Sequence, residues 1–245
     1  IGCALIMAGM FSTSDRLGIV TGLAAEARAI GSASRLNIGL SAANPTRAAD
    51  AARKLIAEGA TVVASVGLAA GLDLNHAPGT IIIADRVVAW TGALPTSGPP
   101  AENPGFSVAP RLTTALAEAH GDGAKVGTLV GLNEAVTSPD EKLALMRQTG
   151  AAAADMESHI VAQVAEEAGV PWFAVRIVAD PSNRRVPPAA LAALGAEGDV
   201  SVRRVLKALA RSPGDLPDLL SLALDTAQAM RQLKRAGRVI RAEFD

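Results

Sequence analysis

The chain has 245 residues, 49% of them apolar and 19% charged, with 23 Lys and Arg against 24 Asp and Glu, a formal charge of −1 and a mean hydropathy of +0.28. That is enough chain for one sizeable core; no apolar run reaches the ~18 residues of a membrane-spanning helix, and the balanced charge argues against a nucleic-acid partner. One cysteine, Cys3, leaves no disulfide framework and reads as a small buried hydrophobe; His76, His120 and His159 lack metal-site spacing, and with no Tyr and only six Phe or Trp a stacking platform for single-stranded nucleic acid is not supported.

Residues 1–16 open with the apolar run IGCALIMAGM, which has no preceding basic residue and no clear cleavage site, so a leader or start-site extension is expected in place of a secretion signal. A cytoplasmic location is the default that follows. From Leu17 onward, short aliphatic runs alternate with Ala-rich amphipathic segments, which reads as α/β. Strands are expected at 17–23, 36–41, 61–67, 80–88, 125–132 and 171–180. They are apolar without polar alternation, as in sheets covered on both faces. Helices are expected at 46–58, 109–120, about 140–150 and 156–168, each ended by a glycine at 59, 121, 150 or 169. The segment 91–106 carries four prolines and three glycines and is expected to be a long loop; 182–199 looks irregular, and 200–210 and 216–241 look helical.

Several residues break this pattern. Placed in a helix over 156–168, Glu157 shares the phase of Ile160, Val161 and Val164, while Asp155, His159, Gln163 and Glu166 fall on the other face. A carboxylate on an apolar stripe is costly unless paired or facing a cavity; read instead as an acid in the first helical turn it is ordinary. The pattern weighs the two equally. Arg176 interrupts an aliphatic strand and needs an acidic partner, which either Glu157 or Glu26 supplies. Asp180 closes the same strand, where ligands of open α/β sheets bind; before Pro181 it also reads as a plain loop residue. Glu26 and the glycine-rich SVGLAAGL (65–72) are weak signals alone, although Gly67 and Gly71 permit close backbone approach.

Three blocks, GIVTGLAAE (18–26), SVGLAAGLDLNHAPGTIIIADRVV (65–88) and ADMESHIVAQVAEEAGVPWFAVRIVAD (154–180), resemble the nucleoside phosphorylase and nucleosidase superfamily, most closely its methylthioadenosine/S-adenosylhomocysteine nucleosidase branch. The third block is the most specific, since Met156-Glu157 and Arg176 to Asp180 match in identity and spacing. The likeness covers 17–180. The tail, with PGDLPDLLSL (213–222), is more similar to the hopanoid-associated phosphorylases of bacteria, a subset linked to removal of adenine from adenosylhopane.

The resemblance implies a three-layer αβα domain over 17–245, with a central mixed and mostly parallel sheet, a homo-oligomer, and no cofactor or metal. It implies that Asp180 protonates the purine at N7, that Glu157 binds the ribose 2′-hydroxyl, that Met156 packs on the sugar, and that Glu26 with Arg176 positions the attacking water. Such chemistry suits carboxylates, because base departure leaves an oxocarbenium-like sugar; Asp180 then needs a pKa raised by an apolar pocket. Three positions depart from the family: Leu68 replaces a Ser or Thr in the block that contains Gly67, Ala179 replaces the Ser before the acid, and Val136 replaces a base-stacking Phe. Arg28 and Arg47 are the candidates for binding phosphate, so water and phosphate both stay open as acceptor. The departures, with Trp90 and Phe106 flanking the proline-rich loop, suggest an apolar entrance and a lipid-linked 5′ group. Arg231, Lys234, Arg235, Arg238 and Arg241, interleaved with Met230, Leu233, Val239 and Ile240, suggest peripheral contact with anionic membrane, although a solvated face is the commoner fate of such a helix. From another class, a non-catalytic nucleoside-binding or membrane-peripheral protein is weighed against by the joint presence of Glu26, Glu157, Arg176 and Asp180.

Overall fold

The computed structural model describes residues 11–92, 103–193, 207, 210–211 and 213–245. In chain order the elements are β1 (Leu17–Thr21), α1 (Ala24–Ile30), β2 (Leu36–Leu40), α2 (Pro45–Ala57), β3 (Val62–Gly71), β4 (Ile81–Ala89), β5 (Gly105–Ser107), α3 (Pro110–His120), β6 (Ala124–Gly131), α4 (Pro139–Thr149), β7 (Ala153–Asp155), α5 (Ser158–Glu167), β8 (Trp172–Asp180), α6 (Pro188–Ala193) and α7 (Leu216–Arg241). The expected leader (1–16, apart from its last six residues), most of the expected loop 91–106 and most of the expected helix 200–210 lie outside the described residues.

The strands form one sheet in the order β2-β1-β3-β7-β6-β4-β5, with β8 bridging β3 and β4. Its pairings are parallel for β1 with β2 and β3, β3 with β8, and β6 with β4 and β7. They are antiparallel for β3–β7, β4–β5 and β4–β8. The sheet is therefore mixed and mostly parallel, and β3, β8, β4, β6 and β7 close on one another in a ring. Alternation along the strands creates the layers. Val20 and Val63 pack with Ala48, Ala52 and Leu55 of α2 and Val161 and Val164 of α5. Leu17, Ile19, Val62 and Ala64 point the other way, into the cluster with Ile30 of α1 and Ala229, Leu233, Ala236 and Ile240 of α7.

Local chemistry explains the helix limits. Asn44 accepts from the Arg47 amide at 3.1 Å, with Pro45 as the first helical residue. Ser138 and Glu141 form a reciprocal capping box, and Gly150 ends α4 at φ 68°, a left-handed conformation that glycine adopts without strain.

Several expectations change. The glycine-rich block is strand: β3 runs on to Gly71, with Gly67 in register opposite Arg176. Helix α5 starts at Ser158, so Glu157 sits at its N-cap and Asp155 ends β7, which removes the helical phase argument for both. Strand β5 and helix α6 occur where loop and irregular chain were expected. Of the C-terminal basic helix, Leu233 and Ile240 are buried against the domain, so that apolar face is not free for lipid; the exposed apolar stripe on α7 is Leu216, Leu220 and Leu224. Trp90 is likewise buried, in a cluster with Val88, Val130 and Leu132.

Candidate active site

The carboxyl ends of β1, β3, β7 and β8 surround a cavity of about 230 Å³. Glu26, Leu68, Val136, Met156, Glu157, Ala179 and Asp180 all line it. The sequence-stretches that hold these residues are far apart in the chain, and the parallel register of β1, β3 and β8 brings their ends together.

Glu26 is held on one side of the cavity by three hydrogen bonds that its carboxyl oxygens accept. Its Oε2 receives the Leu23 amide at 2.8 Å and the Thr21 hydroxyl at 2.9 Å, and its Oε1 receives the Leu68 amide at 2.9 Å. The bond from the Leu23 amide also fixes the start of α1. Gly67 has no room for a side chain: a Cβ there would lie 2.7 Å from Arg176 Nη1 and 3.2 Å from both Glu26 oxygens.

Glu157 receives the Ser41 hydroxyl at 3.0 Å on Oε1 and Arg176 Nη2 at 3.1 Å on Oε2. Ser41 reaches it from a turn in which Ala42 and Ala43 both adopt φ 53°, a strained left-handed conformation for alanine, and Ala43 joins the cavity wall. Burial pushes the Glu157 pKa up to about 7; Arg176 pulls against that rise, while Asp155 and Glu26 add to it. Arg176, 1% exposed, also pairs with Asp155 and donates to Ser65 Oγ at 2.5 Å, Ser158 Oγ at 3.2 Å and the Leu68 carbonyl at 3.3 Å. Burial opposes its charge, but the carboxylates of Asp155, Glu157 and Glu26 overcome this and its pKa is raised. Of the two partners expected for Arg176, the ion pair goes to Glu157, joined by Asp155. Arg176 is not among the residues lining the cavity, and it reaches the site through the carboxylates it holds.

Asp180 has a partner that the sequence reading missed. Lys142 of α4, 0% exposed, donates from Nζ to Asp180 Oδ2 at 2.6 Å, to the Pro181 carbonyl at 2.9 Å and to the Arg184 carbonyl at 2.9 Å. Burial raises the Asp180 pKa and Lys142 opposes the rise. The signal was present: Lys142 lies three residues before buried Leu145, on the inward stripe of α4. Asp155 was missed because a three-residue alanine-rich strand gives no periodicity to read. Its Oδ2 accepts the Ser158 amide at 2.9 Å and hydroxyl at 2.7 Å.

Other expected site features stand elsewhere. Trp90 and Phe106 line a separate cavity with His159, Ile160 and Gln163, not an entrance to this one. Arg28 is exposed and Arg47 borders a cleft between β2 and α2. Among the described residues lining the active-site cavity there is no Arg or Lys. Among the described residues no group of three or more His, Cys, Asp or Glu is arranged to hold a metal, and no helix is long and apolar enough to cross a membrane.

The sequence model of the Phosphorylase superfamily matches residues 18–212, so the chain belongs to that superfamily and is an enzyme of the nucleosidase or phosphorylase type, with which its mixed sheet agrees. Among solved structures, futalosine hydrolase of Helicobacter pylori strain 26695 is similar with a TM-score of 0.67 and 15% identity, over 94% of this chain and 97% of that one. The 5′-methylthioadenosine/S-adenosylhomocysteine nucleosidase of Helicobacter pylori gives a TM-score of 0.66 and 15% identity, over 95% of this chain and 98% of that one. The S-adenosylhomocysteine nucleosidase of Streptococcus pyogenes, in complex with 5-methylthiotubericidin, gives 0.66 and 16%, over 95% and 97%. At these identities the likeness is one of fold. A search of the curated proteins gave no match to the chain.

Proposed function

We propose that the protein hydrolyses the N-glycosidic bond of an adenosine-type nucleoside and releases adenine. The observation that carries this reading is the convergence of Glu26, Glu157 and Asp180 on one cavity that Glu134 and Asp155 also border and whose remaining walls are mostly aliphatic. In this reading Asp180 gives a proton to N7, Glu157 accepts from the ribose hydroxyls and offsets positive charge growing at C1′, and Met156 packs on the sugar. Glu26, already accepting three hydrogen bonds, takes a proton from the attacking water. Arg176 orients Glu157 and keeps it partly ionised near neutral pH.

Water is favoured over phosphate as acceptor. A phosphate dianion placed beside Glu26 and Glu157 would meet like charge with no cation on the described cavity wall. Phosphorolysis remains the second reading because of the tail's resemblance. The test is adenine release in phosphate-free buffer, with Glu26→Gln slowing it strongly; strict dependence on added phosphate, with a sugar 1-phosphate as product, would overturn hydrolysis.

The substrate proposed is an adenosine with a large apolar group at C5′, of the adenosylhopane kind. Leu23, Leu68, Leu132, Val136 and Val186 on the cavity wall support it. Contact with a membrane surface fits the same reading, and the exposed Leu216, Leu220 and Leu224 of α7 support that contact in place of the segment 231–241. Preference for methylthioadenosine over adenosine with a long hydrocarbon at C5′ would defeat the substrate claim. Failure to co-sediment with anionic vesicles at low salt would defeat the surface claim.

A further inference from the structure

A lysine with all its stem and its ammonium out of solvent is expensive unless its three protons are accepted. Lys142 meets that condition. It has three oxygens at 2.6, 2.9 and 2.9 Å, belonging to Asp180, Pro181 and Arg184. These acceptors are all in the turn that follows β8, so a side chain from α4 ties down the strand end that carries the acid. Lys142 itself does not border the substrate cavity.

We propose that Lys142 is the positioning residue for the general acid: its ammonium holds Asp180 by Oδ2, so the proton delivered to the base sits on Oδ1 and leaves behind a carboxylate already paired with a cation. This rests on the reading of the site as a nucleosidase. In the step, the Oδ1–H bond breaks and its electron pair stays on Asp180, while the N7–H bond forms. The C1′–N9 bond breaks with its pair going to the departing adenine. Water oxygen bonds to C1′, and its proton passes to Glu26. Lys142 keeps all three protons throughout. Asp180 is reprotonated from a second, polar cavity of about 180 Å³ that it shares with Asn183, Arg184, Arg185, Asp218 and Asp225.

The opposing effects on the acid make the arrangement measurable. Burial raises the Asp180 pKa, Asp225 of α7 adds to the rise, and Lys142 with Arg184 pulls it down. Burial likewise lowers the Lys142 pKa, and Asp180, with the neighbouring Glu141, pulls it up. An opposite charge in contact is worth about 1–3 pH units to a carboxyl group.

The test combines kinetics with titration. Lys142→Met keeps the stem and removes the charge. The alkaline limb of kcat for adenine release is expected to move up by about 1–3 pH units. The maximal rate is expected to fall about tenfold, because a weaker acid transfers its proton less readily, with KM little changed. A rate loss of equal size at every pH, with the limb unmoved, would reduce Lys142 to a packing role and overturn the proposal. Asp180→Asn supplies a second arm that does not depend on turnover or on Lys142→Met folding. With ¹⁵N-labelled lysine, the Lys142 ammonium is expected to lose its proton at lower pH in Asp180→Asn than in the wild type. An unchanged Lys142 titration overturns the pairing. If the wild-type protein releases no base from any adenosine compound, the nucleosidase reading fails, while the lysine titration still decides the pairing.

Discussion

Arg176→Met places a side chain of similar length and no charge between Asp155 and Glu157, which tests whether the cluster depends on its central cation. The arginine makes two buried ion pairs and three further hydrogen bonds, to Ser65, Ser158 and the Leu68 carbonyl. Removing one partner of a buried ion pair costs about 3–5 kcal/mol, because the remaining charge stays desolvated and unpaired. Against a total stability of about 5–15 kcal/mol this is large, and at roughly 2–4 °C per kcal/mol for a chain of this size it lowers the melting temperature by about 6–20 °C. The cost is pH-dependent, with a definite sign. In the wild type Glu157 is raised from 4.5 to about 7, chiefly by burial and against the pull of Arg176. Its contribution to stability is thus fully present below about pH 4.5 and is lost as pH rises through about 7, a change on the order of 3 kcal/mol. Without Arg176 the Glu157 pKa climbs further. At pH 5 the residue is mostly protonated in both proteins, so its share of the damage disappears; at pH 8, above the wild-type pKa of about 7, that share has grown to as much as about 1.4 kcal/mol. Thermal melts of wild type, Arg176→Met and the double variant with Glu157→Gln at pH 5 and pH 8 are the assay. The deficit of Arg176→Met is expected to be larger at pH 8, and Glu157→Gln is expected to recover part of it there. A deficit of the same size at both pH values, or a variant melting within about 2 °C of wild type at pH 8, would refute the electrostatic account.

Asp180→Asn keeps the hydrogen bond to the base but has no proton to give, so adenine release is expected to fall about 10²–10⁴-fold in a protein that still folds, read by stopped assays and circular dichroism. Gly67→Ala drives a Cβ to 2.7 Å from Arg176 Nη1, and calorimetry is expected to show a loss of stability, of about 1–3 kcal/mol, together with weaker turnover. Phe244 is 0% exposed, with its ring 4.8 Å from that of Phe11, so Phe244→Ala is expected to cost about 3–5 kcal/mol in denaturant unfolding, whereas a tail that merely rests on the surface would lose almost nothing.

The last of these variants probes a part of the molecule that the local pattern could not reveal. Phe244 near the carboxyl end meets Phe11 near the other, and its carbonyl accepts the Arg35 amide at 3.0 Å. Contacts between residues so distant in the chain leave no local periodicity. By itself the sequence determined the aliphatic strands, the capped and glycine-ended helices, and the polar residues whose burial needed explaining. Glu157, Arg176 and Asp180 stood out because ionisable groups inside apolar runs are costly, and that cost is legible one residue at a time. Tertiary structure decided their partners. Parallel register set Gly67 against Arg176, the short strand β7 delivered Asp155, a strained turn delivered Ser41, and α4 delivered Lys142. A charge in the chain shows that a partner is required; only the packing of strands and helices in three dimensions selects which one it meets.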